Sequence, residues 1–194
     1  VLDPSDEEAI EAHVQDTLSS GKGLCDEAIV RSVVVEAAHR ISDLVSFGVG
    51  FDGDSQGYHN AIEGGHSTPR ILHSKDRTGA EIEQALEMAA TSVGSATLKI
   101  NEDWMAVDLI QTVHGTPSSG VSGIWCLKPD GSVVKIQAKS VILATGGCGM
   151  LYNSTTNPAV STGDGVAMAH RCGADITDME FIQFHPTSLH GVQK

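Results

Sequence analysis

Between Val141 and Gly173 the chain reads VILATGGCGMLYNSTTNPAVSTGDGVAMAHRCG, an apolar run of strand length joined to two glycine-rich loops and a short helix. The β-branched run ending in Ala144-Thr145-Gly146-Gly147 predicts a strand that delivers bare backbone to a sheet edge. Glycines there let a flat or phosphorylated cofactor come closer than any Cβ would allow. Gly163-Asp164-Gly165 predicts the opening of a helix whose first turn offers unpaired N–H groups to an anion. As bare pattern, this points to a nucleotide-type cofactor at the carboxyl ends of parallel strands.

The rest of the chain sets bounds on that reading. With 194 residues there is length for one sizeable domain or for a piece of a larger one. Only 4% of residues are aromatic, so a core must rest on Val, Ile, Leu and Ala. The formal net charge of -13 argues against nucleic acid and anionic membrane as partners. No apolar run approaches the roughly 18 residues that span a bilayer, and no secretory signal pattern is visible. Cys25, Cys126, Cys148 and Cys172 lack C-x-x-C or zinc spacing and read as reduced thiols. The first residue is Val1, which fits an excerpt or a processed product.

Along the chain, Ser5-Asp6-Glu7-Glu8 reads as a capping box that starts a helix to about Ser19. A second helix is predicted from Asp26 to about Ser46, where Ile29, Val30, Val33, Val34, Ala37, Ile41, Leu44 and Val45 recur at helical spacing. A short β excursion follows over Val49–Ile62, then an irregular loop at Glu63-Gly64-Gly65-His66-Ser67. Thr78-Gly79-Ala80-Glu81 is a second capping box, heading a helix with Ile82, Ala85, Leu86 and Ala89 inward. Strands are predicted at Ala96–Ile100, Met105–Val113 and Val121–Leu127, and Pro129-Asp130-Gly131 turns the chain into Val133–Gln137. Val141–Thr145 is the next strand and Ser161–His170 the last helix.

This order predicts an α/β domain: part of a dinucleotide-binding, Rossmann-like fold with an inserted antiparallel β-meander. The fingerprint G-x-G-x-x-G with its later acidic residue is absent, so the first unit of such a fold is expected upstream of Val1.

The stretch ATGGCGMLYNSTTNPAVSTGDGVAMAHRCGADITDMEFIQFHPT closely resembles the succinate dehydrogenase/fumarate reductase flavoprotein superfamily. Within it, IEGGHSTPRILHSKDRTG and HVQDTLSSGKGLCDEAIV are similar to the L-aspartate oxidase family, and the resemblance runs over essentially the whole chain. It implies that residues 1–194 are the central and C-terminal part of an FAD-binding domain, with about 181–194 leading toward a capping domain that carries substrate-binding arginines. The implied cofactor is noncovalent FAD. Met105 and Ala106 fall where the family's backbone meets the adenine side, Gly146 and Gly147 where a strand tip nears the dinucleotide, and Asp164 at the acidic position of the FAD site. Glu63, Gln183 and His185 are implied beside the substrate. Three positions depart from the pattern: Ile62, Thr68 and Pro69 replace a usual Arg, His and basic residue, which implies a less basic substrate loop.

The chemistry implied is removal of a hydride from Cα of L-aspartate to flavin N5, leaving iminoaspartate, the first step of the quinolinate route to NAD. Glu63 suits discrimination, because a carboxylate favours the α-ammonium that separates aspartate from succinate; it also reads as a solvated glutamate beside a Gly-Gly turn. His66 either lines the active site or fixes its loop through backbone. His185, extended by Pro186, projects toward substrate or is a structural histidine. Asp164 is a helix N-cap, a cofactor contact, or both. Oxygen or fumarate is the implied electron acceptor and quinolinate synthase a candidate partner. The expected compartment is the cytoplasm, or the plastid in a plant or alga. Two rival readings stand: a succinate dehydrogenase or fumarate reductase flavoprotein subunit, and a non-enzymatic nucleotide-binding fragment. The isolated 194-residue chain is expected to hold no stoichiometric FAD and to be inactive; tight, saturable FAD binding in titration calorimetry would contradict that.

Overall fold

The Asp6 carboxylate accepts the Ala9 amide at 2.9 Å and starts helix α1 (Glu7–Gly21). The cap is therefore Asp6 rather than Ser5, whose hydroxyl instead donates to Asp3 at 2.6 Å. Lys22 and Gly23, both at positive φ, end the helix. Asp26 caps α2 (Glu27–Ser46), accepting the amides of Ala28 and Ile29. Three consecutive valines stay helical because the helix buries Val34 against Ile10 and Val14 of α1, with Leu18 and Val30 packed around them. The predicted apolar stripe is broader than the surface it covers: Ile29 and Val33 remain 62% and 66% exposed.

This computed structural model describes residues 3–94, 96–117 and 119–184. Its mixed helix and sheet fall into two units, Val1–Ile100 and Asn101–Lys194. In the first unit, β1 (Gly53–Asp54) and β2 (Gly57–Tyr58) form a minimal antiparallel hairpin. β3 (Asn60–Ala61) pairs antiparallel with β4 (Ile71–Leu72), so the segment carrying Glu63 is the loop of a closed ladder. Helix α3 (Thr78–Ser92) follows, burying Ala85. Its expected capping box does not form: Thr78 Oγ1 accepts the Ser74 amide at 3.0 Å and no side chain caps the helix. Leu86, expected inward, is 39% exposed. The strand expected at Ala96–Ile100 is also absent. The Thr97 and Leu98 amides both donate to the Gly94 carbonyl, bending the chain where a ladder would need it straight.

In the second unit, β5 (Met105–Gln111), β6 (Val121–Leu127) and β7 (Val133–Gln137) pair antiparallel in that spatial order. The β6–β7 connection is the Pro129-Asp130-Gly131 turn, with Gly131 at φ +81. Helix α4 (Asp164–Arg171) lies on β5; Gly165 and Met168 are the buried residues of the helix and Leu109 that of the strand. Arg171 fastens the end of the helix: its Nε and Nη2 donate to the two carboxylate oxygens of Asp108, each at 3.1 Å. That pair is half-exposed, so its contribution is a fraction of a kcal/mol, and apolar burial dominates.

Val141–Thr145, predicted as a strand, has no ladder partner among the described residues, and Ile142 is 90% exposed. A β segment is a paired state, so strand composition without a neighbour leaves irregular chain. The last helix starts at Asp164, not Ser161, because Ser161 is itself buried in the preceding turn.

Met168 is 1% exposed and Met88 is 57% exposed. Met168→Ala is expected to cost about 2–5 kcal/mol through the cavity it leaves, while Met88→Ala stays within about 0.5 kcal/mol. Thermal or denaturant midpoints of the two variants check this.

Candidate functional site

In the second unit the two glycine loops come together by direct contact. A Cβ on Gly165 would overlap the Thr145 hydroxyl, and one on Gly163 would lie 2.9 Å from Cβ of Cys148. The glycines of the helix mouth therefore let α4 sit tightly against the Thr145–Cys148 segment, a packing role that their spacing in sequence does not reveal. The 8%-exposed Cys148 fills the space beside Gly163. The other pair behaves oppositely. Gly146 has φ +69, and a Cβ there or on Gly147 would meet no protein atom within 4 Å. These two residues present bare backbone to open space.

The mouth of α4 completes this cradle. Gly163 occupies the cap position at φ +80 and provides no capping side chain. The amides of Asp164, Gly165 and Val166 donate to no acceptor among the described residues. Asp164 is the first helical residue rather than the N-cap, so its charge favours the helix dipole while its carboxylate stays exposed. Its Oδ2 accepts the Thr162 hydroxyl at 2.9 Å. Open glycine backbone, free helix amides and an exposed carboxylate are groups that fit a flavin dinucleotide, since amides suit an anionic part and a carboxylate suits hydroxyl donors.

Met105 and Ala106 open strand β5, opposite Leu127 and Cys126. The register slips between Ala106 and Asp108, next to the positions where the resemblance implies a ligand contact. Gln183 lines a cleft of about 190 Å³ with Tyr152, Ser154, Thr156, Asn157 and Phe184. The rings of Tyr152 and Phe184, both in its lining, meet edge-on at 5.3 Å. His185 and the remainder to 194 lie outside the described residues.

In the first unit, Glu63-Gly64-Gly65-His66 forms a turn closed by the His66 amide on the Glu63 carbonyl at 3.1 Å. Gly65 at φ +88 supplies the left-handed position that this turn requires. The turn is docked on α1 at three points. A Cβ on Gly65 would lie 2.8 Å from the Ser20 hydroxyl. The His66 ring meets His13 edge-on at 6.5 Å. The Asp16 carboxylate takes the Ser67 amide and hydroxyl at 2.8 Å each, and Arg70 Nη1 at 2.6 Å, all on Oδ2. Among the described residues the exposed Glu63 carboxylate has no ion pair or hydrogen bond.

The Ser67 amide, then Arg70 and the Ser67 hydroxyl, hold Asp16 down from 3.8 to about 2. A depressed carboxylate stabilises the folded state above its unfolded value of 3.8, and that stabilisation is lost as pH falls from there through about 2. Burial, then the Arg70 charge, pushes His13 below the ordinary histidine value. Sequence reasoning missed Asp16, Ser67 and Arg70. The available signal was the spacing of His13, Asp16 and Ser20 on one face of α1, away from the Ile10–Val14 face.

The chain belongs to the FAD binding domain family, which matches residues 1–194, and the cofactor of that domain is FAD. Its relatives include the chloroplastic L-aspartate oxidase of Arabidopsis thaliana, 45% identical over 97% of this chain and 29% of that protein. Another is the L-aspartate oxidase of Mycobacterium tuberculosis (strain ATCC 25618 / H37Rv), 44% identical over 97% of this chain and 34% of that one. The chain thus spans about a third of the length of the curated relatives it matches. Among solved structures, a variant of E. coli quinol fumarate reductase FrdA superposes with a TM-score of 0.86 at 28% identity, covering 96% of this chain and 31% of that chain. The Mycobacterium smegmatis Sdh1 complex in the apo form gives 0.83 at 31% identity, covering 91% and 31%.

Gly147 tests the cradle most cleanly, because alanine there meets no protein atom within 4 Å. Gly147→Ala is expected to leave the unfolding midpoint of the complete protein's apo form unchanged while lowering FAD retention, read from flavin absorbance after gel filtration. Full retention would show that the open face at Gly147 does not meet the cofactor.

Proposed function

We propose that the protein to which this chain belongs is an L-aspartate oxidase, converting L-aspartate to iminoaspartate with noncovalently bound FAD, the first step of NAD synthesis through quinolinate. The observation that carries this reading is the unpaired Glu63 carboxylate, held out on a turn docked to α1, in a chain whose relatives named above are L-aspartate oxidases. In this reading residues 1–194 form the central and C-terminal part of a Rossmann-like FAD-binding domain, with β5–β7 as its inserted meander and about 181–194 leading toward a capping domain.

Bound FAD supplies the two-electron acceptor that oxidation at Cα requires. The chain's own part is to bind and orient. Gly146 and Gly147 admit the dinucleotide, the α4 amides meet its anionic part, Asp164 accepts from its hydroxyls, and Met105 and Ala106 meet its adenine side. Glu63 holds the α-ammonium of aspartate. Gln183 and His185 donate to substrate carboxylate, and His66, with its ring against His13, keeps the turn in place. A charge-assisted hydrogen bond from Glu63 contributes about 1.5–3 kcal/mol, or roughly one to two decades of selectivity for aspartate over succinate.

Oxygen or fumarate takes the electrons from the reduced enzyme, and quinolinate synthase is the candidate recipient of the product. The compartment is the plastid in a plant or alga and the cytoplasm in a bacterium. Among the described residues no helix is long and apolar enough to cross a membrane. Similarity to FrdA and Sdh1 supports the rival reading, a succinate-oxidising or fumarate-reducing subunit.

The two readings separate on substrate. The complete flavoprotein is expected to turn over L-aspartate, and Glu63→Gln to raise KM for aspartate by about tenfold or more. Equal aspartate kinetics in Glu63→Gln and the parent, or turnover of succinate alone, would overturn the assignment.

A further inference from the structure

Asp16 sits on α1, 51 positions before the Ser67 it holds, and no catalytic role on substrate is assigned to it. Three donors from the segment just after Glu63 converge on one of its oxygens: the Ser67 amide, the Ser67 hydroxyl and the Arg70 guanidinium. Arg70 is spread further, its Nη2 donating to Thr68 Oγ1 at 3.0 Å, so the whole Ser67–Arg70 stretch is braced around a single carboxylate. The Arg70 side chain is only 8% exposed and that of Asp16 18%. Within the same turn, Gly65 abuts Ser20 and His66 abuts His13, both also on α1. Two of the substitutions that set this loop apart, Thr68 and Pro69, lie between the two residues that Asp16 holds.

The geometry points to Asp16 as the positioning residue of the Glu63 turn, fixing through Ser67 and Arg70 where the substrate-discriminating carboxylate stands. The inference rests on the role proposed above for Glu63. Ser67 follows Glu63 by four positions, and the turn between them is closed by its own hydrogen bond. A displacement of Ser67 is therefore passed to Glu63 rather than absorbed. Asparagine at position 16 keeps the volume and an acceptor for the Ser67 amide but removes the charge that holds Arg70. Released, Arg70 is also a cation within the same loop, free to pair with Glu63 and to take it from the substrate's ammonium.

The test uses the complete flavoprotein with L-aspartate as substrate and succinate as a competing dicarboxylate that lacks the ammonium. Asp16→Asn is expected to raise KM for aspartate roughly tenfold, leaving kcat, flavin content and the inhibition constant of succinate within about twofold. Combined with Glu63→Gln, it is expected to add nothing further, since both changes remove the same contact. An unchanged KM, an equal loss on aspartate and succinate, or an additive double variant would overturn the inference. Should Asp16→Asn fail to fold, Ser67→Ala removes one donor only, and a KM rise of roughly threefold is expected; no rise overturns the inference. If Glu63→Gln shifts aspartate KM and neither of these does, the positioning role falls and the function stands. If Glu63→Gln itself has no effect, the function reading falls first and takes this inference with it.

Discussion

Close backbone approach at Gly65, Gly163 and Gly165 decides where both candidate functional segments of this chain lie. At each of these positions a Cβ would press on a neighbour: the Ser20 hydroxyl, Cys148 and Thr145. In the first unit the missing side chain lets a turn rest on α1; in the second it lets the mouth of α4 rest on the segment that precedes it. The contacts are small, but each brings polar backbone and a charged side chain into a defined place: Glu63 above one helix face, Asp164 and the free α4 amides beside Gly146 and Gly147. Glycine thus has two separate uses here. Gly163 and Gly165 make room for the protein's own atoms, and Gly146 and Gly147 leave room for something else.

Much of this was legible from residue order. Apolar period placed α2 and α3, β-branched runs placed β5 and β6, and Pro129-Asp130-Gly131 placed the turn into β7. Caps were less legible, because several Ser, Thr and Asp residues cluster before each helix and only geometry decides which one receives the amides; Asp6 displaced Ser5 in this way. Val141–Thr145 shows a different limit. Composition reports a preference for strand, yet a ladder needs a partner, and partnership is not a local property. The glycines of the helix mouth were legible as glycines, but their packing role was not, since it depends on Thr145 and Cys148 from another loop.

The candidate site divides along the same line. Gly146 and Gly147 stand out by type and spacing and Glu63 and Asp164 by the family resemblance; the first two present open backbone, and the carboxylates of the other two are exposed. Asp16, Ser67 and Arg70 escaped notice because an aspartate in a polar helix face looks like any solvated carboxylate until the partner arrives from far along the chain. Candidate ligand contacts are legible from residue type and motif, whereas the contacts of Asp16 with Ser67 and Arg70 exist only at the tertiary level.

Everything functional proposed here reduces to two contacts: Glu63 on the substrate's ammonium, and Gly146 with Gly147 against the flavin dinucleotide. A crystal structure of the complete flavoprotein with FAD and an unreactive aspartate analogue examines both at once. The Glu63 carboxylate is expected within hydrogen-bonding distance of the analogue's amino group, with cofactor atoms in van der Waals contact with the Gly146–Gly147 backbone. A Glu63 side chain directed into solvent, or a dinucleotide bound away from those glycines, would contradict this picture.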